Sequence, residues 1–282
     1  MMPEPRDPFE LPEWHAINRE IALVRQLIGA GVTSLGHANY ADKLGEYYTA
    51  FFGLSVGFER LAKLVLVAEH VMEHGEMPNE GVVRKYGHQL VKLMEKVGEV
   101  CARRFLQLKY RFPDNPISRS ILDCLDSFAD AKRGRYANFA SLGDPVFDQD
   151  EPIGKWWGAV AELILQKHYY GTVAQRKSEA QADFVHRMMS KDAIVLHTSE
   201  YGTPLRDLFS ASVRTSQGEL VQRYGRFYVL LVARWLSNVF NEMARSATYT
   251  YQCDAFFGAW EPLQTYTVKS SFLKSRKIWP LK

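Results

Sequence analysis

Apolar positions recur every three to four residues along most of this chain, and the two-residue alternation of a half-buried strand is nearly absent, so the pattern predicts an all-α fold. The strongest segment spans residues 41–74. Leu54, Phe58, Leu61, Val65, Ala68 and Met72 form one stripe, and Phe51, Phe52, Val56, Leu64 and Leu66 add apolar surface on other sides. A helix of this kind belongs at the centre of a bundle, buried on most of its circumference. Gly75 stands where it should end. A second helix is predicted over residues 88–109, with Leu90, Leu93, Met94, Val97, Cys101, Phe105 and Leu108 inward. Asn115 and Pro116 read as N-cap and first residue of a third, which carries Ile117, Ile121, Leu122, Leu125 and Phe128. Further on, residues 153–191 read as helical with a bend near Gly171, and Thr203-Pro204 as another cap. The box Ser216-Gln217-Gly218-Glu219 is expected to open the last long helix, which buries Leu220, Tyr224, Phe227, Leu231 and Trp235. Near the start, residues 15–28 are helical, and Gly29-Ala30-Gly31 reads as their C-terminal turn.

The arrangement implied is an antiparallel helical bundle with a C-terminal helical extension. An acidic, proline-broken stretch over residues 142–152 is the natural boundary. It divides the chain into an N-terminal helical arm (1–39), a bundle (40–142) and a C-terminal helical region (152–282) packed on the bundle or continuous with it. With 282 residues, 46% of them hydrophobic and 24% charged, the chain has the composition of a globular protein of one large or two small domains.

A net charge of +3 is too slight to imply a nucleic-acid partner by itself, but its distribution is uneven. Lys269, Lys274, Arg276, Lys277 and Lys282 lie in a tail without acids; its plainer reading is a solvated terminus, the alternative an anchor for phosphate or anionic lipid. The clusters Arg103/Arg104/Lys109/Arg111 and Lys132/Arg133/Arg135 could extend a basic surface if the fold joins them. Cys101, Cys124 and Cys253 are odd in number and widely spaced, as expected of buried thiols in a reducing compartment. The acidic, Pro-rich start is unlike a secretory signal. The most apolar stretch, residues 227–240, is interrupted by Arg234 and falls short of the about 20 residues a membrane span needs. A cytoplasmic protein without a membrane partner is the expectation.

Two patterns suggest chemistry by letter. His70-Val71-Met72-Glu73-His74 spaces two histidines four apart with a glutamate between, as in inverted zinc peptidases. Those enzymes contain substantial β-sheet, which this chain lacks, so no metal or cofactor is expected and the histidines read as favoured by the helix end. More informative are Glu59, Arg60 and Lys63 inside the most apolar helix. Charges there require partners, because an unpaired buried charge costs several kcal/mol. The plausible ones are His88, in Tyr86-Gly87-His88-Gln89-Leu90, and Arg135-Tyr136-Ala137-Asn138. The plain reading is a structural polar network knitting three helices; the sharper one is a recognition site for phosphate or nucleotide.

Phe58-Glu59-Arg60-Leu61-Ala62-Lys63, Tyr86-Gly87-His88-Gln89-Leu90 and Arg135-Tyr136-Ala137-Asn138-Phe139 together resemble bacterial HEPN (higher-eukaryote and prokaryote nucleotide-binding) domains, over about residues 40–142. The resemblance implies an antiparallel bundle, often dimeric, from stress, toxin–antitoxin or phage-defence systems, frequently a metal-independent ribonuclease, with a partner protein encoded nearby. Ribonuclease members carry an arginine and a later histidine with about four to six residues between them: the histidine moves the 2′-hydroxyl or leaving-group proton and the arginine neutralises the phosphorane. This chain departs from that pattern, since only three residues separate Arg84 from His88. On the resemblance, the protein binds RNA or cleaves it in a divergent manner. His88 would be the acid/base, Arg84 or Arg60 the phosphate partner, Glu59 and Lys63 the orienting groups, and Arg103, Arg104, Arg133 and Arg135 the nucleic-acid contacts. The alternative is a non-catalytic interaction or oligomerisation module, which the paired aromatics Trp156-Trp157, Tyr169-Tyr170 and Phe256-Phe257 with Trp260 would support if exposed, core packing explaining such pairs equally well.

Overall fold

The structure, a computed structural model, describes residues 7–129 and 151–281. Within them the fold is all-α. The helices are α1 (Pro12–Leu35), α2 (Gly45–His74), α3 (Glu80–Tyr86), α4 (Leu90–Arg103) and α5 (Pro116–Ala129), followed after residue 150 by α6 (Pro152–Trp156), α7 (Glu162–His168), α8 (Val173–Met189), α9 (Leu208–Tyr249) and α10 (Ser270–Ser275). One π-helical turn, Trp157–Ala161, joins α6 to α7. The described β-structure is a two-residue antiparallel pair, His197–Thr198 with Pro204–Leu205.

Helix α2 is the axis of the bundle, touched by α1, α4, α5 and α9. Phe51, Leu54, Phe58, Leu61 and Val65 are fully buried, whereas Phe52 on the outer side is 41% exposed. The helix stops where its sequence indicates: Gly75 takes a left-handed φ of 75° and its N–H closes onto Val71. Asn115 caps α5 as expected, accepting from Ser118 N at 3.0 Å.

The glycines near the N-terminus act differently from the expectation. They do not end a helix; α1 runs through them to Leu35, Gly31 faces Gly53 of α2, and Gly57 faces Ile28 across the same close seam. A methyl group at Gly53 would lie 2.8 Å from the Leu27 carbonyl, and one at Gly57 2.7 Å from the Ile28 side chain. Small residues are there because the two backbones approach closely. Helix α1 is thus held against the centre of the bundle, with Ile21, Val24, Ile28 and Val32 at 0% exposure.

Two expected boundaries move. The helix predicted over residues 88–109 ends at Arg103, and Phe105 adopts a φ of 50° and lies 83% exposed instead of inward. The cause is tertiary: Arg104 is drawn onto Glu69 and the Tyr251 hydroxyl, and Tyr110 N donates to Asn238 Oδ1 at 2.9 Å, redirecting the chain. The last long helix starts at Leu208, not at the Ser216 box, because Asp207 accepts from Ser210 N at 2.7 Å and caps it well before the box would. Thr203-Pro204 is correspondingly no cap, and Pro204 pairs with Thr198. The 42 residues of α9 bury Val229, Leu230, Leu236, Val239, Phe240 and Met243 against α1, α2 and α5.

The C-terminal segment returns to α1. Trp279 N donates to Thr33 Oγ1 at 2.9 Å, Arg25 Nη2 donates to Leu281 O at 3.1 Å, and Tyr266 donates its hydroxyl proton to Arg25 O. Gly29 makes the approach feasible, since a methyl group there would lie 2.3 Å from Pro280 Cδ.

The α1–α2 seam has a direct test. Gly53→Ala should lower stability by about 1–3 kcal/mol through overpacking. Gly98→Ala, at an exposed α4 position where an added methyl meets nothing within 4 Å, should raise it by about 0.4–1 kcal/mol. Urea denaturation of the two variants measures both signs.

Candidate functional site

Glu59 and Lys63, one turn apart on α2, meet His88 from the loop between α3 and α4. Lys63 Nζ donates to Glu59 Oε1 at 2.7 Å, and His88 Nδ1 lies 2.9 Å from the same oxygen and 3.4 Å from Lys63 Nζ. Nδ1 can donate to the carboxylate or accept from the ammonium, but not both, so the tautomer decides which contact holds. The carboxylate and ammonium are mostly covered, at 21% and 18% exposure, whereas the imidazole is 81% exposed.

The loop that presents His88 is fastened on three sides. Tyr86 donates its hydroxyl to Leu66 O at 3.3 Å, Lys96 Nζ donates to Tyr86 O at 3.0 Å, and Asp126 of α5 accepts from Leu90 N at the start of α4. Gln89, the N-cap of α4, makes no side-chain cap hydrogen bond, so a neighbouring helix supplies that acceptor. His88 is therefore held by the packing of α2, α4 and α5, with Nε2 free of hydrogen bonds to the described residues.

The arginines expected beside His88 point elsewhere. Arg60 donates to Glu20 of α1 at 2.6 Å. Arg84 pairs with Glu80 one turn earlier on α3, both highly exposed. Arg103 and Arg104, expected to contact nucleic acid, converge instead on Glu69, whose side chain is 5% exposed: Arg104 Nε lies 2.7 Å from Oε2 and Arg103 Nη2 3.0 Å from Oε1. Burial opposes the Arg104 charge, but the bonds to Glu69 and to Tyr251 outweigh it and hold the guanidinium above its ordinary pKa. Arg133, Arg135 and Asn138 lie outside the described residues.

The His70–His74 rings stack at 4.2 Å, His74 Nδ1 contacts His70 O at 3.0 Å, and Glu73 faces Arg103 and Arg104. Among the described residues no group of three His, Cys, Asp or Glu side chains is placed to hold a metal ion. The paired aromatics are mostly core: Trp156, Trp157, Tyr169 and Phe256 are buried and Trp260 is 9% exposed, leaving Tyr170 and Phe257 outside. No helix among the described residues is long and apolar enough to cross a membrane.

Two buried charges carry no motif in the sequence. Glu200, its side chain fully covered, accepts from Arg214 Nε at 2.7 Å, and the Arg214 guanidinium lies 3.8 Å over the Trp157 ring. Burial pushes the Glu200 carboxyl above the usual carboxylate range despite that arginine. The other is Arg226, 4% exposed, in the middle of α9. Its one signal is a charge at the edge of the most apolar part of the last helix, the same feature that singles out Glu59 and Lys63 on α2. Comparison with known protein families, with curated proteins and with solved structures finds no match to this chain.

The two kinds of ion pair should separate cleanly. Glu69→Gln removes a buried carboxylate that holds two arginines and should cost roughly 1.5–3 kcal/mol. Arg84→Ala, which removes only a solvated pair, should change stability by less than about 0.5 kcal/mol. Chemical denaturation of the two proteins gives the comparison.

Proposed function

We propose that the protein binds RNA as a divergent HEPN-like module of a bacterial stress or phage-defence system, with His88 as the group that meets the RNA. The observation that carries this reading is the geometry of one side chain: an imidazole 81% exposed yet fixed at Nδ1, 2.9 Å from a mostly covered carboxylate. With Nδ1 turned to the carboxylate and ammonium behind it, Nε2 is left facing solvent, where it can meet a group that arrives there. Lys63 adds a positive charge at the same corner. What the corner lacks among the described residues is an arginine beside the histidine to neutralise a phosphorane, since Arg60 and Arg84 are paired with Glu20 and Glu80 instead. Binding is therefore the leading reading, and cleavage the further step a test has to add.

Incubation with total RNA in EDTA separates these. The expected result is retarded RNA on a native gel, weakened in His88→Ala and in Lys63→Gln. Cleavage abolished in His88→Ala would add the metal-independent nuclease; wild-type protein that neither shifts nor cleaves RNA removes the reading.

A second reading, a non-catalytic interaction or oligomerisation module, is favoured by the far end of α8. Phe184 and Met188, one turn apart, are 65% and 67% exposed, and Ile194 and Leu196 just beyond are both 86% exposed. On this reading, or as the dimer the HEPN resemblance implies, light scattering should give twice the monomer mass, falling to the monomer in a Phe184→Glu/Met188→Glu variant.

A further inference from the structure

Three charged side chains are buried deepest among the described residues: Glu69, Glu200 and Arg226. Glu69 meets Arg104 and Glu200 meets Arg214. Arg226 meets no carboxylate among the described residues, and its Nε has no hydrogen-bond partner there. Burial, and then the neighbouring Arg223, push its guanidinium below the ordinary arginine pKa. A covered cation with no counter-charge among the described residues is strongly unfavourable unless something beyond them supplies the anion.

The surroundings say what kind of anion. Arg226 lines a cavity of about 790 Å3 between the C-terminal end of α1, the loop of Asn39 to Lys43, the first half of α9 and the segment around α10. Lys43, Arg223, Lys274 and Lys277 share the wall with Arg226, and among the described residues the one carboxylate is Glu219. All four companions are exposed, and none forms an ion pair among the described residues. Gly36 closes the back of the cavity; a methyl group there would lie 2.4 Å from Arg226 Nη1, so its absence leaves room for the guanidinium. The volume is that of a small-molecule site, typically about 300–1,000 Å3. Five cations around it exceed what a single carboxylate would require, and the planar fork of an arginine suits phosphoryl oxygens.

We infer that this cavity binds a small molecule bearing two or more phosphoryl groups, with Arg226 as the buried anion contact and Lys43, Arg223, Lys274 and Lys277 around the rim. The basic C-terminal tail thereby has a purpose, since two of its lysines form one wall. None of these residues belongs to the Glu59–Lys63–His88 corner, so the assignment stands or falls separately from the RNA reading.

Calorimetric titration of the full chain with inorganic pyrophosphate and with tripolyphosphate is the test, with thermal denaturation alongside. Expected are one site per chain, a raised Tm, and an affinity that falls with added salt. Arg226→Gln should weaken binding at least about tenfold, the loss of one charge-assisted contact. Lys274→Gln/Lys277→Gln alters only exposed side chains, so it guards against a folding defect in the first variant, and it should weaken binding several-fold. ATP as a third titrant distinguishes sources: tighter binding than tripolyphosphate points to a nucleotide, equal binding to the phosphate chain alone. The inference is overturned if neither phosphate gives heat or a Tm shift at millimolar concentration, or if both variants bind like the wild type. It is also overturned if a single-stranded RNA binds through Arg226 while pyrophosphate does not.

Discussion

A helix surrounded on nearly all sides cannot leave its charges to water, and α2 carries several. Each is met by a different neighbour: Arg60 by Glu20 of α1, Glu59 and Lys63 by His88 before α4, and Glu69 by the arginines that end α4. Apolar packing alone would let the surrounding helices slide or rotate with little penalty, because methylene contacts are non-directional. A buried carboxylate between two guanidiniums has few acceptable arrangements, so the Glu69 pairs fix the register of α4 against the central helix. Such pairs add less to stability than to uniqueness, since desolvation offsets much of their attraction.

That constraint also explains where the chain leaves its helical pattern. The periodicity that extends beyond Arg103 would carry Phe105 into the core, yet the demand of Glu69 for two arginines and the hold of Tyr251 on Arg104 turn the backbone out first. A buried ion pair and one helix turn compete, and the ion pair prevails. The α1–α2 seam works by the opposite device: no polar side chain lies at Gly31, Gly53 and Gly57, and the helices are positioned by close backbone approach.

Much of this is legible in the amino-acid sequence. The all-α class, the central helix and its glycine stop, the Asn115 cap and the meeting of Glu59 and Lys63 with His88 follow from periodicity and from the cost of an unmatched charge. What is not legible depends on distant partners. Gly29 and Gly31 resemble a helix terminus unless one knows that α2 and Pro280 press against them. Ser216 makes a plausible capping box unless Asp207 has already capped the helix. Arg60 and Arg84 carry the right charge for a phosphate beside His88, but they lie against Glu20 and Glu80 rather than beside His88.

Arg226 is where the rule that organises α2 is broken. It cannot be excused as a surface residue, because it is as covered as Glu69, and the chain does not lack acids to place near it. Instead the positions around it are filled with further cations, drawn from three regions far apart in sequence: Lys43 just before α2, Arg223 on α9, and Lys274 and Lys277 near the C-terminal end. Lys274 and Lys277 are brought there as the last residues are tied to α1 through Thr33, Arg25 and the space above Gly29, and to α9 through Arg234. A fold that neutralises the other deeply buried charges among its described residues, yet brings distant segments together around an unmatched one, has kept that charge for an anion that those residues do not contain.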